Sequence, residues 1–251
     1  MMFQYDLYPY PGNDIETLAK RVDYVSNRMP TPFSKINQTW PANTEFLVVG
    51  CGWSEATMVA KNNHINVTGI DLSKTAIMLA NQIKTEYALG NLTLINDDFI
   101  AKDFGSAKYS GIIMSGVLHH MKEPEKALKK IHSMMTDDGV LSGMVYHNSR
   151  DFINEKCELF QHIGWSDITN RHHIDNIKCY LGTLPQEDLC RVWFEKYSQC
   201  DAEIVDTWMH YHYRTYSEQE LKELFNSCGL IVESYAENFQ LIFVAQKIFG
   251  T

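Results

Sequence analysis

Two groups of residues in this chain have types and spacings that could do chemistry. The first is Gly50-Cys51-Gly52, which closes the apolar run 46–49, together with Asp71, which follows the second apolar run 65–70. Glycines let a backbone approach a ligand, and an acid about 20 residues on accepts hydrogen bonds from ribose hydroxyls, so this pair of stations suits a nucleoside-bearing cofactor. The second group is rich in histidine: His119 and His120, then His210 and His212 within His210-Tyr211-His212-Tyr213-Arg214. Imidazole exchanges protons near neutral pH and so can serve as a general base. In an extended backbone His210 and His212 would share one face.

These residues need a scaffold that brings distant segments together. Between residues 44 and 147 apolar runs alternate with helical patterns, the signature of an open, mostly parallel sheet flanked by helices. Strands are predicted at 46–49, 65–70, 92–96, 111–115 and 140–147, with helices at 54–61, 73–89 and 125–135. Ser73 is a predicted N-cap, and Asp137-Asp138-Gly139 a predicted turn. The third strand ends in Asp97-Asp98-Phe99, where an acid could accept from an adenine amine and the phenyl ring could cover the base. A last unit, a helix at 217–227 opened by a Ser217/Glu220 capping box and strands at 230–235 and 239–246, reads as an added helix and hairpin turning at 236–238. Four segments result. They are an N-terminal arm and helix (1–43), a cofactor-binding core (44–147), a helical, aromatic insertion (148–215) and a C-terminal helix and hairpin completing the sheet (216–251).

Composition narrows the partners. The chain has 22 basic against 31 acidic residues, a net charge of −9, which disfavours a nucleic-acid backbone. It lacks an apolar run long enough to cross a membrane and an N-terminal secretory pattern, so a cytoplasmic protein with no membrane partner is expected. Six scattered cysteines without a C-x-x-C pair fit a reducing compartment. Five of the seven prolines fall in the first 41 residues and punctuate an arm, with a helix predicted at 15–27. A metal site would need ligands beyond the histidines, from Asp206 or His172 and His173; a pocket lined by polar side chains is the simpler expectation, and no metal is expected. No feature specifies an oligomeric state.

A glycine turn plus an acid suits a dinucleotide as well as S-adenosylmethionine. The stretch YSGIIMSGVLHHMKEPEKALKKIHSMMTDDGVLSGMVY resembles the segment following the adenine-binding strand in class I S-adenosylmethionine-dependent methyltransferases, in its VLHH-containing subset. The resemblance implies a Rossmann-like sheet of order 3-2-1-4-5-7-6 with an antiparallel seventh strand. It implies S-adenosylmethionine as cofactor and S-adenosylhomocysteine as product. By position Gly50, Cys51 and Gly52 would bound the methionine part, Asp71 and Leu72 the ribose and adenine, Asp98 and Phe99 the adenine, and Ser115, Gly116 and Val117 the sulfonium. Val48 and Ser54 depart from the family pattern, which has an acid and a third glycine there. A nicotinamide reading fares worse: Glu55 stands at the sixth fingerprint position, and VLHHM has no role in it. The expected reaction is methyl transfer to O or N of a small metabolite or natural-product intermediate. A protein side-chain acceptor and a non-catalytic cofactor-binding module are the alternatives. His119, His210 and His212 are the candidate bases; Tyr5, Tyr8, His120, Trp208 and Arg214 the candidate substrate contacts.

Overall fold

The computed structural model describes residues 4–9, 40–62, 64–198, 200–210 and 213–248. The predicted helix at 15–27 and the candidate base His212 lie outside them. Seven strands, β1 (Glu45–Val49), β2 (Asn66–Asp71), β3 (Leu92–Asn96), β4 (Tyr109–Ser115), β5 (Met135–Tyr146), β6 (Leu230–Glu237) and β7 (Gln240–Lys247), form one sheet in the order β3-β2-β1-β4-β5-β7-β6. β1 to β5 pair in parallel, and β7 runs antiparallel to both β5 and β6. This is the expected Rossmann-like order.

β1 shows why the sequence reads as continuous apolar runs. Successive side chains of a strand point to opposite faces, and both faces here are covered. Phe46 and Val48 pack under the helices α2 (Glu55–Asn62) and α3 (Lys74–Glu86). Leu47 and Val49 join the core under α4 (Pro124–Met134) and α9 (Glu218–Asn226). Val48, where the family pattern has an acid, is therefore fully buried, which selects an apolar residue. Trp53 likewise packs against Leu79, Ala80 and Ile83.

Local signals set most boundaries. The Ser73 hydroxyl accepts from the Ala76 N–H and caps α3, and Ser217 and Glu220 form the reciprocal capping box of α9. Two expectations change. The turn expected at Asp137-Asp138-Gly139 is absorbed into β5: the register passes from Tyr109↔Met135 to Gly111↔Val140, so five steps of β5 face two of β4. The extra residues bulge without ending the strand. The last hairpin turns at Asn238 and Phe239, between the pair Glu237↔Gln240, with φ of 48° and 65°. Positive φ at both central residues matches the strand twist. The Phe239 ring is held there by edge contacts to Phe152 and Trp193.

Between β5 and α9 lie α5 (Asp151–His162), α6 (Arg171–Thr183), α7 (Leu189–Tyr197) and α8 (Asp201–Trp208), which bury a core of their own around Phe160, Ile177, Leu181 and Trp208. No described helix is long and apolar enough to cross a membrane. A short helix, α1 (Gln4–Leu7), lies across the sheet's carboxyl edge. Its Asp6 carboxylate accepts from the Ser73 hydroxyl at 2.9 Å and the Thr75 N–H at 3.1 Å, at the amino end of α3. A carboxylate is favoured there by the helix dipole.

Candidate functional site

The strand order reverses between β1 and β4. Open α/β sheets bind ligands in the crevice outside the carboxyl ends of the strands at such a point. The glycine turn stands on one side of it. The N–H groups of Gly50 and Cys51 both donate to the Ile70 carbonyl, and the Gly52 N–H donates to the Asp71 Oδ2 at 2.8 Å. Oδ1 of Asp71 accepts from the Ser73 N–H at 2.8 Å. Asp71 thus fixes the glycine turn and the start of α3 together. A carboxylate has about four acceptor positions, so capacity for hydroxyl donors remains. Burial raises its pKa, and the two backbone hydrogen bonds oppose that.

Gly50 has φ +63°, and a Cβ there would lie 2.3 Å from Val117 Cγ2. The residue type is thus demanded both by conformation and by close approach to the loop after β4. That loop holds Gly116 and Val117, following Ser115 at the end of β4, and is closed by the Gly116 N–H donating to the Met144 carbonyl at 3.0 Å. Leu72, half exposed, stands beside Asp71. Cys51 is buried, and burial pushes its thiol pKa well up. Glu55, in the first turn of α2 and half-buried, has a carboxyl raised to about 8 by burial.

At the end of β3, the exposed Asp98 accepts from the Ile100 N–H at 2.7 Å and braces its own turn. The Phe99 ring does not cover the crevice as expected. It is buried in the core against Phe104, because the apolar side chain following the acids finds the α4 face of the sheet.

Across the crevice the histidines gather. β4 leads into a short 3-10 turn, Leu118–His120, and the return segment ending at Tyr216 runs beside it. The Arg214 N–H donates to the His119 carbonyl at 3.1 Å, and the Tyr216 N–H to the Tyr146 carbonyl at 2.9 Å. His119 stacks on Tyr146 with ring centroids 3.7 Å apart, and His120 stacks on His210 at 3.6 Å and 11°. His119 is 1% exposed, and neither of its ring nitrogens has a hydrogen-bond partner among the described residues. Burial, then the neighbouring His120 and Arg150, holds its pKa well below the ordinary value, so the ring is neutral at physiological pH.

His210 belongs to a network with α1. The Tyr5 hydroxyl donates to Asp206 Oδ1 at 2.7 Å and lies 2.9 Å from His210 Nε2. With the tyrosine proton on Asp206, Nε2 of His210 is the donor in the second contact. Burial raises Asp206 to about 6, against the opposing effects of Tyr5 and Arg150. The Tyr5 phenol is held well above its ordinary pKa by burial and by Asp206.

Not all candidates arrive here. Trp208 is fully buried in the helical layer, and its indole N–H donates to the Ser198 hydroxyl at 3.1 Å. It is a core residue, not a substrate contact, because the amphipathic helices of the insertion bury their aromatic side chains against one another. Tyr8 packs against that same core. Arg214 is exposed, beside the Tyr216 hydroxyl, while the guanidinium in the cluster is that of Arg150, 3.5 Å from the Tyr146 ring centroid. Arg150, Tyr146, Tyr213 and the pairing of Tyr5 with Asp206 were missed in the sequence. The remaining signal was Asp206 itself, four residues before His210 and so one helical turn away. Among the described residues no three His, Cys, Asp or Glu side chains are grouped to hold a metal ion.

A family model described as a methyltransferase domain matches residues 47–141. Among solved structures, 98% of the chain aligns with 54% of PKMT2 from Rickettsia typhi in complex with AdoHcy, at 15% identity and a TM-score of 0.63. A TehB-like SAM-dependent methyltransferase from Corynebacterium glutamicum aligns over 93% of this chain and 98% of its own, at 14% identity and a TM-score of 0.52. The O-methyltransferase NcsB1 from neocarzinostatin biosynthesis, in complex with S-adenosylmethionine and 2-hydroxy-5-methyl naphthoic acid, aligns over 94% and 59%, at 14% identity and a TM-score of 0.53. The chain thus spans about half the length of PKMT2 and about three-fifths of NcsB1. At these identities the likeness is one of fold.

Proposed function

We propose that residues 47–141, which match the model of a methyltransferase domain, form a class I, S-adenosylmethionine-dependent methyltransferase core, and that the chain methylates O or N of a small metabolite or natural-product intermediate. The observation that carries this reading is the meeting of two unlike half-sites at one sheet edge. The glycine turn, fixed by Asp71, faces the loop after β4 across Gly50 and Val117. A buried cluster of histidine, tyrosine and arginine continues from that same loop.

The residues fit the cofactor. A side chain at Gly50 would fill the turn, Asp71 keeps acceptor capacity for ribose hydroxyls, and Leu72 is free to pack against the nucleoside. When bound, S-adenosylmethionine supplies an electrophilic methyl: an acceptor lone pair bonds to its carbon, and the carbon–sulfur electron pair returns to sulfur. Gly50, Cys51 and Gly52 bound the methionine part, Asp98 and the Phe99 backbone the adenine, and Ser115, Gly116 and Val117 the sulfur. Much of the rate comes from positioning, since the sulfonium is a good leaving group. His119, neutral and buried beside Val117, can take a hydroxyl proton. His210, oriented by Tyr5 and Asp206, backs His120 by stacking. The burial of this cluster supports a small acceptor over an exposed side chain of another protein, and the likeness to an O-methyltransferase solved with a naphthoic acid points the same way.

Calorimetry of the full chain with S-adenosylhomocysteine and with NAD tests the premise; the expected result is micromolar-class binding of the first and none of the second. Asp71→Ala should weaken that binding at least tenfold. His119→Ala should lower turnover of a hydroxyl acceptor by about 10²-fold or more, the usual contribution of a general base, with little change in cofactor affinity. An unchanged rate removes His119 from the mechanism.

A further inference from the structure

Arg150 is the one side chain in this cluster that carries a permanent charge, and no described carboxylate pairs with it directly. It is 4% exposed, at the turn joining β5 to α5. No carboxylate among the described residues forms an ion pair with it within 4.0 Å, and its Nε is buried without an acceptor. Guanidinium cannot shed its proton in a protein, so burial leaves a desolvated cation. Asp206, the acid whose charge it senses, is engaged by Tyr5.

The surroundings define what would match it. The guanidinium carbon sits 3.5 Å from the Tyr146 ring centroid, 4.6 Å from that of Trp193 and 5.7 Å from that of Tyr213. Stacking uses the flat face of the group and leaves its in-plane N–H edge for a ligand. The Tyr213 hydroxyl, buried beside the Arg150 guanidinium and interacting with it, can donate its own proton to the same ligand. One planar cation, one hydroxyl and apolar rings suit a planar monoanion on an apolar body, which a guanidinium grips in the plane. A phosphate dianion would ask for a second positive charge, and an ammonium would be repelled.

Resting on the methyltransferase reading above, we propose that Arg150 recognises a carboxylate of the methyl acceptor, so that the substrate is an organic acid. Its chain position, four residues past Tyr146 on which His119 stacks, sets the anion site beside the proposed base.

The test uses the full chain and three probes of one shape, benzoate, benzamide and benzylamine, titrated calorimetrically with and without saturating S-adenosylhomocysteine. Benzoate is expected to bind at least tenfold tighter than either neutral or cationic analogue. Arg150→Gln should erase that preference, and Arg150→Lys, which keeps the charge but not the fork, should retain part of it. S-adenosylhomocysteine binding and circular dichroism of each variant report folding. Equal binding of the three probes, no benzoate binding by the wild type, or an intact preference in a folded Arg150→Gln variant each overturns the proposal. If the wild type prefers benzoate yet does not bind S-adenosylhomocysteine, the methyltransferase premise fails and the anion site stands.

Discussion

Asp206→Asn separates the burial of this carboxyl from its partners, because asparagine keeps the shape and the oxygen that accepts from Tyr5. Burial raises Asp206 from the ordinary 3.8 to about 6. At 1.36 kcal/mol per pH unit this corresponds to about 3 kcal/mol. The sign follows from proton counting. The folded chain holds the Asp206 proton more tightly than the unfolded chain, so the favourable contribution is complete below 3.8 and is lost as the pH rises through about 6. Urea unfolding of wild type and variant across this window isolates the effect, since all other groups cancel in the difference. From about pH 4.5 to about pH 7 the wild type should lose roughly 2 of those 3 kcal/mol relative to Asp206→Asn. With an m value of about 3 kcal/mol/M, the gap between the two midpoints changes by about 0.7 M. Two curves that stay parallel through the window would show that Asp206 titrates as an ordinary aspartate. The Tyr5 hydrogen bond and the Arg150 charge would then outweigh burial, and the reasoning about this cluster would be refuted.

Further predictions concern the walls of the site. Gly50→Ala should weaken S-adenosylhomocysteine binding and lower stability by about 1–3 kcal/mol through its left-handed backbone and its clash with Val117; adding Val117→Ala should restore part of the loss, and no restoration in calorimetry or melting would rule out the clash. Tyr5→Phe deprives Asp206 and His210 of one hydrogen-bond partner each. Chemical denaturation should register a loss of about 1–3 kcal/mol, with the Asp206 transition displaced to higher pH. Trp208→Ala should destabilise by about 3–5 kcal/mol as a core truncation, while cofactor affinity measured on the folded fraction is unchanged; a selective loss of acceptor binding would return Trp208 to the site.

The sequence was most informative where one short segment suffices to state a local rule. The glycine turn and Asp71, the Ser73 cap and the Ser217/Glu220 box each act over a few residues or one β-α-β unit, and each has the expected geometry. Asp137-Asp138-Gly139 does have turn chemistry, but the continuous pairing of β4 with β5 absorbs it. What escaped the sequence is contact at long range. Tyr5 meets Asp206 across 201 positions, and no local pattern encodes that. Arg150 opens the insertion just where the strand–helix alternation stops, and only the neighbouring rings reveal a buried cation. Trp208 erred the other way: its place in the insertion suggested a substrate contact, when four packed helices need such a side chain for their own interior.

The helix α1 gives neighbouring residues opposite allegiances. Asp6 grips the start of α3, next to the proposed ribose contact, while Tyr5 grips Asp206 and His210 on the acceptor side. A displacement that opens one half therefore strains the hydrogen bonds of the other. On the proposed reading, affinities for the two ligands should be thermodynamically linked, and calorimetry of each ligand with and without the other should then show the same factor in both directions. A four-residue helix is thus the one described element that is hydrogen-bonded to both proposed halves of the site.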